Sequence, residues 1–152
     1  MIKVYRTRTI DASPSTIFDL LSDSESLPTL LPRVSRVEFL QQVGYEDQAR
    51  IATYMALGPF GELRSEGTVQ WEVDREVAFV SHKPVYVESR WTLSPSGAGT
   101  TVDVALTLDL APLLGPLAKF IPPEQVTGMV IPDLDTALSE VARRVETMEE
   151  VV

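Results

Sequence analysis

Residues able to do chemistry are scarce in this chain. His82 is the only side chain whose ordinary pKa lies near neutrality. A general base needs that property and a proton within reach. His82 shares its parity with Ala78 and Val80, opposite Val77, Phe79 and Ser81, so an extended segment turns it away from the apolar side. No Ser-His-Asp arrangement and no histidine spacing suited to a metal accompanies it. Cysteine is absent, which excludes disulfides, thiolate nucleophiles and thiolate metal sites. Gly58-Pro59-Phe60-Gly61 has the wrong spacing for a phosphate loop and reads as a hairpin turn. Neither a metal nor a cofactor is expected.

Small polar residues on an apolar face are more informative. Ile51, Thr53, Met55 and Leu57 share one parity, as do Leu63, Ser65, Gly67, Val69 and Trp71. Val77, Phe79 and Ser81 follow the same rule, and so do Val87, Ser89, Trp91 and Leu93. Ser65, Gly67, Ser81 and Ser89 leave volume unfilled, and their hydroxyls need partners. That suits a ligand pocket with a few orienting groups. It also suits plain core packing, with each hydroxyl bonded to backbone or buried water. Met55, Met129 and the two tryptophans could form an adaptable apolar wall, since methionine repacks easily. Arg64, Glu66, Glu88 and Arg90 take the polar parity and suit cross-strand ion pairs on a wet face. The apolar face is poor in ionisable groups, which argues against acid–base catalysis.

Strands must position these residues. Alternation between Asp47 and Leu110 predicts a sheet with one wet and one buried face. Strands are expected at Lys3–Asp11, Val34–Val43, Gln48–Leu57, Glu62–Val73, Glu76–His82, Tyr86–Ser94 and Thr100–Leu110. Arg6 and Arg8 muddy the first, because they share a parity with Val4 and Ile10. In the second, Val37, Phe39 and Val43 share a parity. Hairpin spacing predicts an antiparallel meander, with Pro95 to Gly99 as a loop.

Ser13 is a good N-cap and Pro14 suits the first turn, so a helix is expected from there to about Ser22. A second short helix is expected at Ser26–Leu31, ended by Pro32. Pro112–Ile121 reads as a linker or short helical turn. From Pro123 onward, Val126, Val130, Leu134, Leu138, Val141, Val145 and Met148 form one helical stripe. Gly128 and Pro132 predict a kink or two helices meeting, with Asp133 and Asp135 favouring a restart through the helix dipole.

The 152 residues, 44% hydrophobic and 23% charged, suit one soluble domain over 1–152. A formal net charge of −9 disfavours nucleic acid and anionic membranes, though such acidity mostly serves solubility. No apolar run nears the roughly 20 residues of a membrane span. Met1 to Thr9 carries cations without an apolar stretch, so no signal peptide is expected and a cytoplasmic setting fits.

Ile10-Asp11-Ala12-Ser13-Pro14, followed by Ile17-Phe18-Asp19-Leu20-Leu21-Ser22-Asp23, resembles the opening strand-to-helix signature of the SRPBCC (Bet v 1-like/START-like) superfamily. Leu27 to Val34 is similar to the segment before strand two in its polyketide cyclase/dehydrase and coenzyme-Q-binding members. Trp91 to Pro95 and Gly99 to Val102 resemble the last hairpin of the cyclase/dehydrase group. The resemblance implies an α+β helix-grip fold: a curved seven-stranded antiparallel sheet around a long C-terminal helix, with two short helices after strand one. It implies a cavity between sheet and helix that binds or transports a hydrophobic small molecule, such as a lipid, quinone or polyketide. The alternative is a polyketide cyclase or dehydratase acting in the same cavity, and the lean is toward no enzyme. The expected ligand contacts are Leu31, Met55, Phe60, Ser65, Trp71, Phe79, Ser89, Trp91, Phe120, Met129, Leu134 and Leu138, with Leu31, Phe60, Phe120 and Met129 around the portal. Besides that ligand, a transient membrane or protein contact is compatible with the resemblance.

Overall fold

The alternating segments form seven antiparallel strands: β1 (Ile2–Ile10), β2 (Val34–Gln42), β3 (Gln48–Ala56), β4 (Glu62–Glu72), β5 (Glu76–Lys83), β6 (Tyr86–Ser96) and β7 (Gly99–Asp109). They make one sheet in the order β1-β7-β6-β5-β4-β3-β2, so β1 and β2 are its edges. This computed structural model describes residues 2–23, 30, 33–42, 48–56, 61–83, 85–109, 111–120 and 122–150. Each strand lies within about two residues of its expected span. Pro95 to Gly99 departs most. Pro95 and Ser96 stay in β6 and pair with Thr100 and Gly99, leaving Gly97 and Ala98 as the turn. Gly97 takes φ +59°, which a tight hairpin requires and glycine supplies without strain.

Helix α1 (Pro14–Leu21) starts as expected: Ser13 Oγ accepts from the Thr16 N–H at 3.3 Å and Pro14 opens the first turn. Ile17, Phe18 and Leu21 are buried. Of the segment Ser26–Leu31 only Leu30 is described; it is helical and buried. After β7 come α2 (Ala111–Leu114), a 3₁₀ turn (Gly115–Phe120) and α3 (Pro123–Glu150). Val126, Val130, Leu134, Leu138, Val141 and Val145 are buried against the inner face of the sheet, as the stripe requires. Together these make the helix-grip arrangement. No described helix is long and apolar enough to cross a membrane.

Two expectations about α3 need correcting. The helix is continuous through Gly128 and Pro132, so two helices do not meet there. Asp133 and Asp135 cap no new helix; they pair with Arg33 just before β2 and with Arg6 of β1. Asp135 takes both Nε and Nη2 of Arg6, at 2.8 and 3.1 Å, and Asp133 binds Arg33. Arg8 Nη1 donates to Ser139 Oγ at 3.0 Å. These contacts also explain the muddied alternation of β1: Arg6 and Arg8 face inward because α3 carries their partners.

One irregularity shapes the inner face. Glu66 pairs with Lys83 and Thr68 with Val80, so Gly67 opposes both Ser81 and His82. A Cβ on Gly67 would meet the Val80 carbonyl oxygen at 2.4 Å and the Phe79 ring at 2.7 Å. Only glycine admits that ring.

Candidate functional site

On the inner face Thr53 of β3 lies directly opposite Ser65 of β4. Ser65 is 0% exposed and Thr53 6%. Neither hydroxyl has a hydrogen-bond partner among the described residues. A buried unsatisfied hydroxyl costs about 1–3 kcal/mol, so two in register call for a reason. Met55 and Leu63 flank the pair on one side, Ile51 and Gly67 on the other.

The apolar wall continues across the sheet. Phe79 of β5, Ser89 of β6 and Leu106 of β7 stand opposite one another in a single row. All three are half-buried, whereas Val77, Ser81, Val87, Trp91, Val104 and Leu108 around them are buried. The inner face is therefore less covered along this row than on either side of it. Trp71 packs half-buried on the core, opposite Val77. The N-terminal half of α3 contributes buried Val126, Val130 and Leu134, with Met129 half-buried beside them.

The other small residues of this face are spoken for. Phe79 fills the space over Gly67. Ser81 Oγ bridges the irregular register, within bonding distance of the Glu66 and Lys83 carbonyls at 2.7 and 3.0 Å. The expected space and free hydroxyls thus reduce to Ser65 and Ser89, and Thr53 joins them. Thr53 was legible as a wall residue but not as a contact, because the lack of a partner depends on which strands neighbour it.

Of the expected contacts, Met55, Ser65, Phe79 and Ser89 lie on this stretch of wall. Trp91, Leu134 and Leu138 are buried in the core. Phe120 ends the 3₁₀ turn 79% exposed. Leu31 and Phe60 lie outside the described residues, as do most of the Leu27–Pro32 and Gly58–Gly61 segments expected at the portal.

Charge is kept off this wall. His82 is exposed at the end of β5 against the Tyr86 ring, 5.3 Å between centroids, on the outer side as expected. The four outer charges do form ion pairs, but not with each other across β4 and β6, since β5 intervenes. Arg64 pairs with Glu66 at 3.0 Å and Arg90 with Glu76 and Glu88 at 2.6 and 3.1 Å. Tyr86 donates to Glu88, which lowers the Glu88 pKa and raises its own. Hydrogen bonding to Asp103 raises the Tyr5 pKa on the outer side of β1. Arg143 and Arg144 hold Glu140 at about 2 on the surface of α3. Among the described residues no group with a displaced pKa faces the concave wall, and no acidic or histidine cluster is fit to hold a metal.

A separate surface groove of about 480 Å³ lies between the start of α1 (Ser13 to Ser15), the β4–β5 turn (Asp74, Arg75) and Leu93 to Pro95 of β6. It is open and does not reach the hydroxyl pair.

A family model described as polyketide cyclase / dehydrase and lipid transport matches residues 1–146. Solved structures share the fold at low identity. A protein from Thermus thermophilus, TTHA0849, is 22% identical over 96% of this chain and 98% of its own, with a TM-score of 0.74. A START superfamily protein from Mycobacterium smegmatis is 19% identical over 96% and 98%, with a TM-score of 0.73. The Zhui aromatase/cyclase from a Streptomyces species is 17% identical over 94% of each chain, with a TM-score of 0.67. No curated protein matches the sequence.

Proposed function

The chain belongs to the polyketide cyclase / dehydrase and lipid transport family, and from that premise we propose that it binds a hydrophobic small molecule on the concave face of its sheet, beneath α3. The observation carrying this reading is the Thr53–Ser65 pair: two buried hydroxyls, in register, without partners among the described residues. Around them the wall is apolar and partly open, which suits burial of a ligand at roughly 25 cal/mol per Å² removed from water. The family match over residues 1–146 supports treating the whole chain as one such domain. The cysteine-free sequence fits a cytoplasmic setting.

The competing reading is a cyclase or dehydratase using the same wall. It requires an inward ionisable group positioned for proton transfer. The described wall offers hydroxyls instead, which favours binding without chemistry. Native mass spectrometry of the purified protein, followed by titration with a panel of lipids, quinones and polyketide-like aromatics, tests the proposal. A retained or titratable ligand of stoichiometry one is expected. Failure of the whole panel to bind would overturn it. Ser65→Leu fills the space at the pair and should abolish that binding while the circular dichroism spectrum is kept.

A further inference from the structure

The electrical character of the concave face follows from a census of the described cations. The sequence holds 13 lysines and arginines and one histidine, and all but Lys119 have described side chains. On the strands after β1, the cations Arg36, Arg50, Arg64 and Arg90 take the outer parity, and Lys83, beyond the register shift, is exposed and pairs with outward Glu66. Arg6 and Arg8 face inward from β1 but are bound to Asp135 and Ser139 of α3. Arg33 is bound to Asp133. The other described ones, Lys3, Arg75, Arg143 and Arg144, stand at the start of β1, in the β4–β5 turn and on the second half of α3.

The inward positions of β3 to β6 are equally free of acids. They are apolar, glycine or hydroxyl-bearing throughout. Outside the irregularity at Gly67, the N–H groups of these strands are committed to the antiparallel ladder, so the backbone there offers no anion nest. An ionised carboxylate or phosphate buried here would meet neither a cation nor a cluster of donors, which strongly disfavours the charged form. A neutral carbonyl or hydroxyl oxygen needs only one or two hydrogen bonds. The Thr53 and Ser65 hydroxyls can each donate one and accept others.

We propose that this site selects uncharged apolar ligands bearing a carbonyl or hydroxyl oxygen, seated on Thr53 and Ser65, and rejects ionised carboxylates and phosphates. The selectivity rests on the proposed concave binding site, and the two fail differently. The probes are matched by chain: methyl dodecanoate against dodecanoate, and dodecanol against dodecyl phosphate. Each competes with the neutral dye Nile red on the full chain at pH 8. The ester and alcohol should bind at least roughly tenfold more tightly than their anionic counterparts. Dodecanoate should gain affinity toward pH 5 as it protonates, whereas the ester should not change. In Thr53→Val/Ser65→Ala the ester should weaken at least fivefold while dodecane holds its affinity. Equal or tighter binding of dodecanoate at pH 8, or an unchanged ester-over-dodecane preference in the double variant, would overturn the selectivity and leave the concave site standing. Failure of every probe, dodecane and Nile red included, would overturn both.

Discussion

Ser65 and Thr53 separate stability from binding. In a core built only for folding, each hydroxyl would have a partner, and its removal would cost stability. Here each lacks one among the described residues, so no described group offsets the desolvation cost. Ser65→Ala and Thr53→Val should therefore leave the ligand-free protein as stable or raise its stability by up to about 1 kcal/mol, while weakening an oxygen-bearing ligand by about 0.5–1.5 kcal/mol each. Urea unfolding and ligand titration on the same variants check this. A stability loss without an affinity loss would assign the hydroxyls to the core. Gly67 behaves in the opposite way. Its missing Cβ is what admits the Phe79 ring, so Gly67→Ala should destabilise the protein by about 1–3 kcal/mol through overpacking against the Val80 carbonyl, an atom that cannot swing aside. An unchanged urea midpoint would show that the ring and strand can shift at little cost.

Among the elements, α3 joins the two open edges of the sheet. Asp133 and Asp135 lie about 200° apart around the helix, on either side of inward-facing Leu134. Asp133 binds Arg33 just before β2, and Asp135 binds Arg6 on β1, the opposite edge. One turn thus clasps both edges directly after Pro132, which leaves the Gly128 carbonyl without its helical donor. Both pairs are partly exposed, so Asp133→Asn and Asp135→Asn should each cost about 1 kcal/mol or less, and less still in 1 M salt. Amide exchange from Val126 to Leu134 should quicken in both; protection equal to wild type would mean that packing alone holds the helix. Farther along, Arg143 and Arg144 hold Glu140 at about 2. Its folded value lies below the ordinary one, so its contribution is present above about pH 4.3 and fades as pH falls toward 2. Glu140→Gln should accordingly be less stable than wild type at pH 6 and equal to it near pH 2, as read from urea midpoints across that range. Strands and the α3 stripe were legible because period two and period 3.6 are local signals. The clasp was not. Asp133 and Asp135 carried the marks of a helix start, and Arg6 and Arg8 looked like errors of alternation, until residues 100 or more positions apart were brought together. Thr53 was hidden likewise: its parity was plain, but its lack of a partner depends on which strands β3 lies between.

For the whole molecule, fold and ligand are separable questions. Structures no more than 22% identical share this architecture, among them an aromatase/cyclase and a START superfamily protein, so the architecture alone decides little about what is held. In this chain the described charge is divided unevenly between the two faces of the sheet. Its formal net charge is −9, and the described charges of the sheet lie on its outer side or in ion pairs at the rim, while the described concave wall is neutral. Binding to such a wall should be driven by apolar burial and be nearly indifferent to ionic strength, since no phosphate or carboxylate contact releases or screens a counterion. A ligand that binds only the folded protein adds about 2.7 kcal/mol at a concentration 100 times its Kd. For a chain of this length about 2–4 °C accompanies each kcal/mol, so methyl dodecanoate should raise the Tm by roughly 5–10 °C at that excess. The shift should be the same within error in 0.05 and 0.5 M salt, and should shrink in Thr53→Val/Ser65→Ala as the affinity falls. A shift that vanishes at high salt but survives in the double variant would put the ligand on the charged exterior, away from the hydroxyl pair.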